Sequence, residues 1–152
     1  MRGSNVRLYT DSAYSSIRTF SYLKKHSIYS TGTVRMNSVG LHPSVKTPPK
    51  KMARGSHKIF QDENDRNISC CLWMDTKPVW FISTESDPTK FCSALRRVGG
   101  RYERISQPAI ASNYSLFTKM STSLIFCRHV TQLQDEVIVR GNIYFPSAFK
   151  LQ

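Results

Sequence analysis

Residues 6–16 read VRLYTDSAYSS, a short apolar run that meets a lone acid. Val6, Leu8 and Tyr9 make a short apolar run with strand character. It runs into Asp11, the only acid before Gln61, in a segment otherwise carrying eleven lysines and arginines. Beyond Asp11, the Ser15 or Ser16 hydroxyl suits a helix N-cap, where it accepts from an orphan backbone N–H. Ala13, Ile17, Phe20 and Lys24 follow at helical spacing with Leu23 beside them, and Lys24 and Lys25 place cations in the last turn. The spacing predicts a helix over 14–25. IYSTGTV at 28–34 is β-branched and aromatic and reads as a second strand. Strand, helix and strand in close succession predict a crossover with a parallel pair. Asp11 is then either a helix-start device or the remnant of a metal site.

The chain has 152 residues, enough for one domain, and 39% hydrophobic content with 11% aromatic allows only a modest core. Its net charge of +12 points to an anionic partner, nucleic acid before membrane. No apolar run approaches the roughly 18 residues of a membrane-spanning helix, and no apolar signal core stands at the N-terminus. The MRGS opening is compatible with an expression leader or with native sequence. The four cysteines are Cys70, Cys71, Cys92 and Cys127. Cys70 and Cys71 are neighbours in one strand and point to opposite faces, so they neither bridge nor share a metal easily. Cys127 and His129 form a lone pair of possible ligands with no partner pair at zinc spacing. Reduced thiols fit, which suits the nucleus or cytoplasm.

Residues 37–57, which include SVKTPPKKMARGSH, carry no acid and read as an exposed loop or weakly ordered insert. Residues 62–67, DENDRN, read as a polar turn. ISCCLWMD and VWFIST flank TKP and predict a β-hairpin, with Pro78 tolerated at the start of its second strand. Trp73 and Trp80 would either stack on bases or, as the hairpin favours, pack as a cross-strand pair. SDPTKFCSALRRVGGRYERIS reads as a loop with a basic group around Gly99 and Gly100. QPAIASNYSLFTKMS predicts a helix, with Pro108 near its N-terminus. VIV and IYF are strand-like pieces of a tail over 121–152.

Four stretches, in order, resemble the piggyBac family of transposases and transposase-derived proteins. TDSAYSS resembles the family's D-N-[FW]-[FY]-T-S block. IYSTGTVRMNSVGL resembles its GTVR-x-N strand, CLWMDTKPVWFIST its W-x-D-x-K-P-V-x-x-L-S-T pattern, and PAIASNYSLF its P-x-[AI]-x-x-Y-N segment. The resemblance covers residues 6–117. It implies a mixed α/β fold: a partial RNase H-like core, strand–helix–strand, interrupted by a mostly β insertion domain. Residues 1–36 would be core, 37–105 the insertion with its basic loop, 106–120 a returning core helix, and 121–152 a divergent tail.

Complete family members hold two divalent metals, Mg2+ among them, on three aspartates, and the metals activate the attacking oxygen and stabilise the leaving one. By motif, Asp11 matches the second. The first lies upstream of VRLYTD, and an ungapped count from Tyr114 puts Thr122 at the third, so Asp11 reads as a vestigial catalytic and metal residue. No cofactor is expected for this chain, and no enzyme activity. Candidate nucleic-acid contacts are Lys46, Lys50, Lys51, Arg54 and Lys58, together with Arg96, Arg97, Arg101 and Arg104, because phosphate contact needs only reachable positive charge. Asp75 and Lys77 read as hairpin-turn residues. The chain thus reads as a transposase-derived fragment, catalytically inactive, with residual non-specific DNA binding and a nuclear location. Its partners would be DNA and possibly a related transposase-derived chain, with no membrane. Two alternatives stand beside this: a subunit or isoform completing a metal-dependent site with missing segments, and a decayed reading frame without selected function.

Overall fold

The computed structural model describes residues 5–61, 67–119, 125–130 and 137–138. Residues 62–66 of the expected polar turn, the IYF stretch and Thr122 lie outside them. The fold is mixed α/β. Strand β1 (Asn5–Thr10) leads through helix α1 (Ile17–Lys25) to β2 (Ile28–Val34), and the two strands pair in parallel, Val6 opposite Ile28 and Thr10 opposite Gly32. Then come α2 (Pro43–Lys46), β3 (His57–Gln61), β4 (Ser69–Met74), β5 (Pro78–Ser83), β6 (Phe91–Val98), β7 (Arg101–Pro108), α3 (Ala109–Lys119), β8 (Ile125–Val130) and β9 (Val137–Ile138). One sheet has the order β3-β4-β5-β2-β1-β8-β9, and β6 and β7 form a second, two-stranded sheet.

The first sheet is covered on both faces. Phe20 of α1, with Leu41 and Val45, packs on Val34, Cys70, Leu72 and Ile82. Cys71, Trp73 and Phe81 point the other way, onto Ile110 and Ala111 of α3. Strand periodicity sends successive side chains to opposite faces, so a central strand covered twice reads as an unbroken apolar run. SCCLWM in β4 is such a run, buried from Ser69 through Trp73. Each large side chain so buried contributes about 1.5–3 kcal/mol.

The structure corrects the sequence reading in several places. Helix α1 starts at Ile17 rather than at 14. The Asp11 carbonyl accepts from the N–H groups of Tyr14 and Ser15 at 2.9 and 3.1 Å, which makes a turn. Ser16, extended at φ −149° and ψ 157°, then caps the helix by accepting from the Thr19 N–H at 3.0 Å. Residues 37–57 are not merely an exposed loop. Pro43 starts α2, the His42 ring caps it, and Leu41 and Val45 are buried in the core. Two aliphatic residues in a polar run are too few to signal this.

The stretch expected as a loop around Gly99 and Gly100 is the β6–β7 hairpin. Its two glycines have φ of +55° and +88°, the pair of left-handed conformations that a two-residue hairpin turn requires. The β4–β5 hairpin forms, but in its register Trp73 faces Val79 while Leu72 faces Trp80. The two tryptophans therefore lie on opposite faces and are not a pair. Trp73 donates its ring N–H to the Ser106 carbonyl at 3.0 Å, and Trp80 to that of Val45 at 2.6 Å. In the tail, β9 falls within VIV. The unforeseen β8 runs antiparallel beside β1, so β1 has a neighbour on each side.

One close approach is built into the parallel pair. A Cβ on Gly32 would stand 2.6 Å from the Thr10 carbonyl oxygen, 2.5 Å from Thr10 Oγ1, and closer still to Ser15 Oγ. The Thr10 and Ser15 hydroxyls are buried and hydrogen-bonded to each other at 2.6 Å. The glycine of GTVR thus lets the turn after β1 lie against β2.

Candidate functional site

Asp11 follows the last residue of β1, at the carboxyl ends of the two parallel strands, where open α/β sheets bind ligands. Its side chain is half-buried. Oδ1 accepts from the Ser12 N–H and, at a long 3.4 Å, from Thr33 Oγ1 of β2. Helix α3 brings Tyr114 to the same place, hydrogen-bonded to the Thr33 side chain. Burial pushes the Tyr114 phenol above its ordinary value; the Thr33 hydrogen bond pulls it down, and the Asp11 charge adds a smaller push upward. Asp11, Thr33 and Tyr114 come from three of the stretches that carry the sequence resemblance. Only the first stands out as chemistry, because a Thr and a Tyr carry no metal-binding signature.

Two divalent metals need several hard oxygen ligands. Among the described residues, no three His, Cys, Asp or Glu side chains come together to hold a metal. Among the described residues Asp11 has hydroxyl neighbours and no further carboxylate, so the described donor set does not fit a two-metal centre.

The nine candidate basic residues fall into three kinds. Lys50, Lys51, Arg97, Arg101 and Arg104 are exposed, although Arg104 Nη1 also reaches Ser93 Oγ at 3.2 Å. Lys46 and Lys58 are half-buried, and Lys58 Nζ donates to the Ser44 carbonyl at 3.4 Å. Arg54 and Arg96 are engaged within the fold. Arg54 donates to Asp75 Oδ1 from Nε at 3.1 Å and from Nη2 at 2.8 Å, while Arg96 Nε donates to Oδ2 at 3.1 Å. Arg54 Nη1 also holds the Arg97 carbonyl at 3.0 Å, and the Arg96 guanidinium lies 5.7 Å from the centre of the Trp73 ring. Asp75, in the β4–β5 turn, thus ties the loop before β3 to the β6–β7 hairpin. Sequence counting does not separate these arginines from the exposed ones, because their acid lies 21 residues from each.

With this geometry in hand, three likenesses carry weight. The family model described as Transposase IS4 matches residues 1–123. The human PiggyBac transposable element-derived protein 2 is 29% identical over 111 residues, which are 70% of this chain and 18% of that protein. The cryo-EM structure of a piggyBac transposase synaptic complex with hairpin DNA aligns with a TM-score of 0.50 at 14% identity, over 78% of this chain and 24% of that one. At that identity the likeness is one of fold. The chain spans less than a quarter of the length of either relative.

Proposed function

The chain belongs to the piggyBac-type transposase IS4 family, and from that premise we propose that it binds DNA through its phosphates, without marked sequence preference, and does not itself cut or join strands. The observation that carries the reading is the exposure of Lys50, Lys51, Arg97, Arg101 and Arg104, while Asp75, a partly buried acid near them, is taken up by Arg54 and Arg96. Exposed cations draw phosphates and release condensed counterions. The donor set described at Asp11, with no second carboxylate beside it, supports reading the chain as inactive. The parallel β1–β2 pair joined by α1, with a carboxylate at its end, supports reading residues 1–36 and 106–120 as part of an RNase H-like core into which 37–105 is inserted. Such a role would be exercised in the nucleus.

A second reading rests on one observation. The Asp11 carboxylate is only half-buried and is held by a short and a long hydrogen bond, so it could serve as one ligand of a site completed by another chain. A single experiment addresses both readings. Labelled linear and hairpin duplexes are incubated with the 152-residue chain at low salt with Mg2+ or Mn2+, then resolved on native and denaturing gels. Retarded but intact DNA is expected. Failure to retard either duplex would sink the DNA-binding reading. Metal-dependent cleavage abolished by Asp11→Ala would sink the inactive one.

A further inference from the structure

Burial explains little of the outward face of the β6–β7 hairpin. Its strands, eight residues each, pair with each other and with no other described strand. The register sorts the side chains onto two faces, since cross-strand partners point the same way. The inward face carries Ala94 opposite Ile105 and Arg96 opposite Glu103, with Ala94 buried and Arg96 held by Asp75. The outward face carries Leu95 opposite Arg104 and Arg97 opposite Tyr102. There Leu95 is 58% and Tyr102 70% exposed, with both arginines exposed beside them. Beyond them the Gly99–Gly100 tip stands clear: a Cβ at either glycine would meet nothing within 4 Å.

A ribbon of eight residue pairs is roughly 27 Å long. A two-stranded ribbon is one of the two protein elements that fit the major groove of B-DNA, about 12 Å wide. Charge selects this occupant. Arg97, Arg101 and Arg104 are exposed on the ribbon, and its one acid, Glu103, pairs in register with Arg96 on the inward face. Guanidinium groups match phosphates, and an exposed leucine and tyrosine offer apolar contact without the bidentate hydrogen bonds that discriminate bases. We propose that the outward face of the β6–β7 ribbon enters the major groove of duplex DNA, with Arg97 and Arg104 on the groove walls and Leu95 and Tyr102 against its floor. The inference rests on the DNA-binding reading and adds the element and the groove.

The test is fluorescence anisotropy on a duplex of about 20 base pairs, two turns of the groove, with a melting curve for each variant as a folding control. The double variant Arg97→Gln/Arg104→Gln is expected to melt like the parent and to reduce the salt slope by about two units, one for each phosphate no longer neutralised. Tyr102→Ser is expected to weaken binding about threefold with little change in slope, since it removes apolar surface and no charge. Methyl green, a major-groove ligand, is expected to compete with the chain, and netropsin, a minor-groove ligand, is not. If the ribbon variants bind like the parent while Lys50→Gln/Lys51→Gln loses affinity, the ribbon inference fails and DNA binding stands. Competition by netropsin alone would also overturn it. If the parent chain binds no duplex, both readings fall together.

Discussion

Asp75 offers the sharpest test of how the hairpin is held. Alanine there removes the acceptor of three charged hydrogen bonds, two from Arg54 and one from Arg96. Exposed ion pairs contribute about 0.2–1 kcal/mol, whereas breaking a buried pair costs about 3–5 kcal/mol. The groups here lie between these limits, with side chains 22% exposed for Asp75, 25% for Arg54 and 28% for Arg96. Two such pairs, one also fixing Arg96 over Trp73, place the loss at about 2 kcal/mol. Urea unfolding followed by tryptophan fluorescence would register this as a midpoint lowered by about 1 M. Lys77→Ala, at an exposed position in the same turn, is the control and is expected to leave the midpoint in place.

The effect is also pH-dependent. Burial alone would raise the Asp75 carboxyl, but hydrogen bonds and charge from Arg54 and Arg96 outweigh it and hold the group below its ordinary 3.8. A carboxylate depressed in the folded state contributes stability that is complete above its unfolded value and is lost as pH falls through the folded one. The gap between parent and Asp75→Ala should therefore be constant at neutral pH and shrink once pH drops below 3.8. A loss under about 0.5 kcal/mol at neutral pH, within the range of an ordinary surface change, would mean that Asp75 does not hold the hairpin. So would a gap that does not respond to acid.

Gly32→Ala should destabilise the fold by about 3 kcal/mol or more, because the new methyl meets a backbone carbonyl that cannot swing away; calorimetry checks this, and a melting temperature within a degree or so of the parent would contradict it. Ser27, after α1, has φ +60° without being glycine, so Ser27→Gly should stabilise by about 1 kcal/mol in urea unfolding. Phe20→Asp should abolish cooperative unfolding, since it buries a charge in the centre of the core. Asp11→Asn should lose about 1 kcal/mol or less, having only polar turn interactions to give up; equal damage from the two would mean that the α1 face is not buried.

The parallel pair, the crossover helix, the β4–β5 hairpin and α3 are legible in the sequence because each announces itself locally, by periodicity or by a strand-rich run between turn residues. The β6–β7 hairpin carries its signal openly in two adjacent glycines. Yet its outward face alternates arginine with apolar residues, which reads as a basic loop rather than as a strand with one face on a core. Leu41 and Val45 escape the sequence for another reason: their burial is decided by Phe20, Leu72 and Ile82, which lie far away along the chain. The same limit applies at the site. Asp11 stands out as a lone acid, but its approach to Thr33 and Tyr114, and the capture of Arg54 and Arg96 by Asp75, are products of tertiary packing alone.

The most direct test of the DNA-binding account is the affinity of the chain for a random-sequence duplex, measured by anisotropy over a series of salt concentrations. The five exposed candidate contacts, Lys50, Lys51, Arg97, Arg101 and Arg104, give an expected slope of log affinity against log salt between about −3 and −4.5, at about −0.9 for each phosphate neutralised. Two unrelated duplex sequences should give the same line. Affinity that does not change with salt, or that differs strongly between the two sequences, would contradict it.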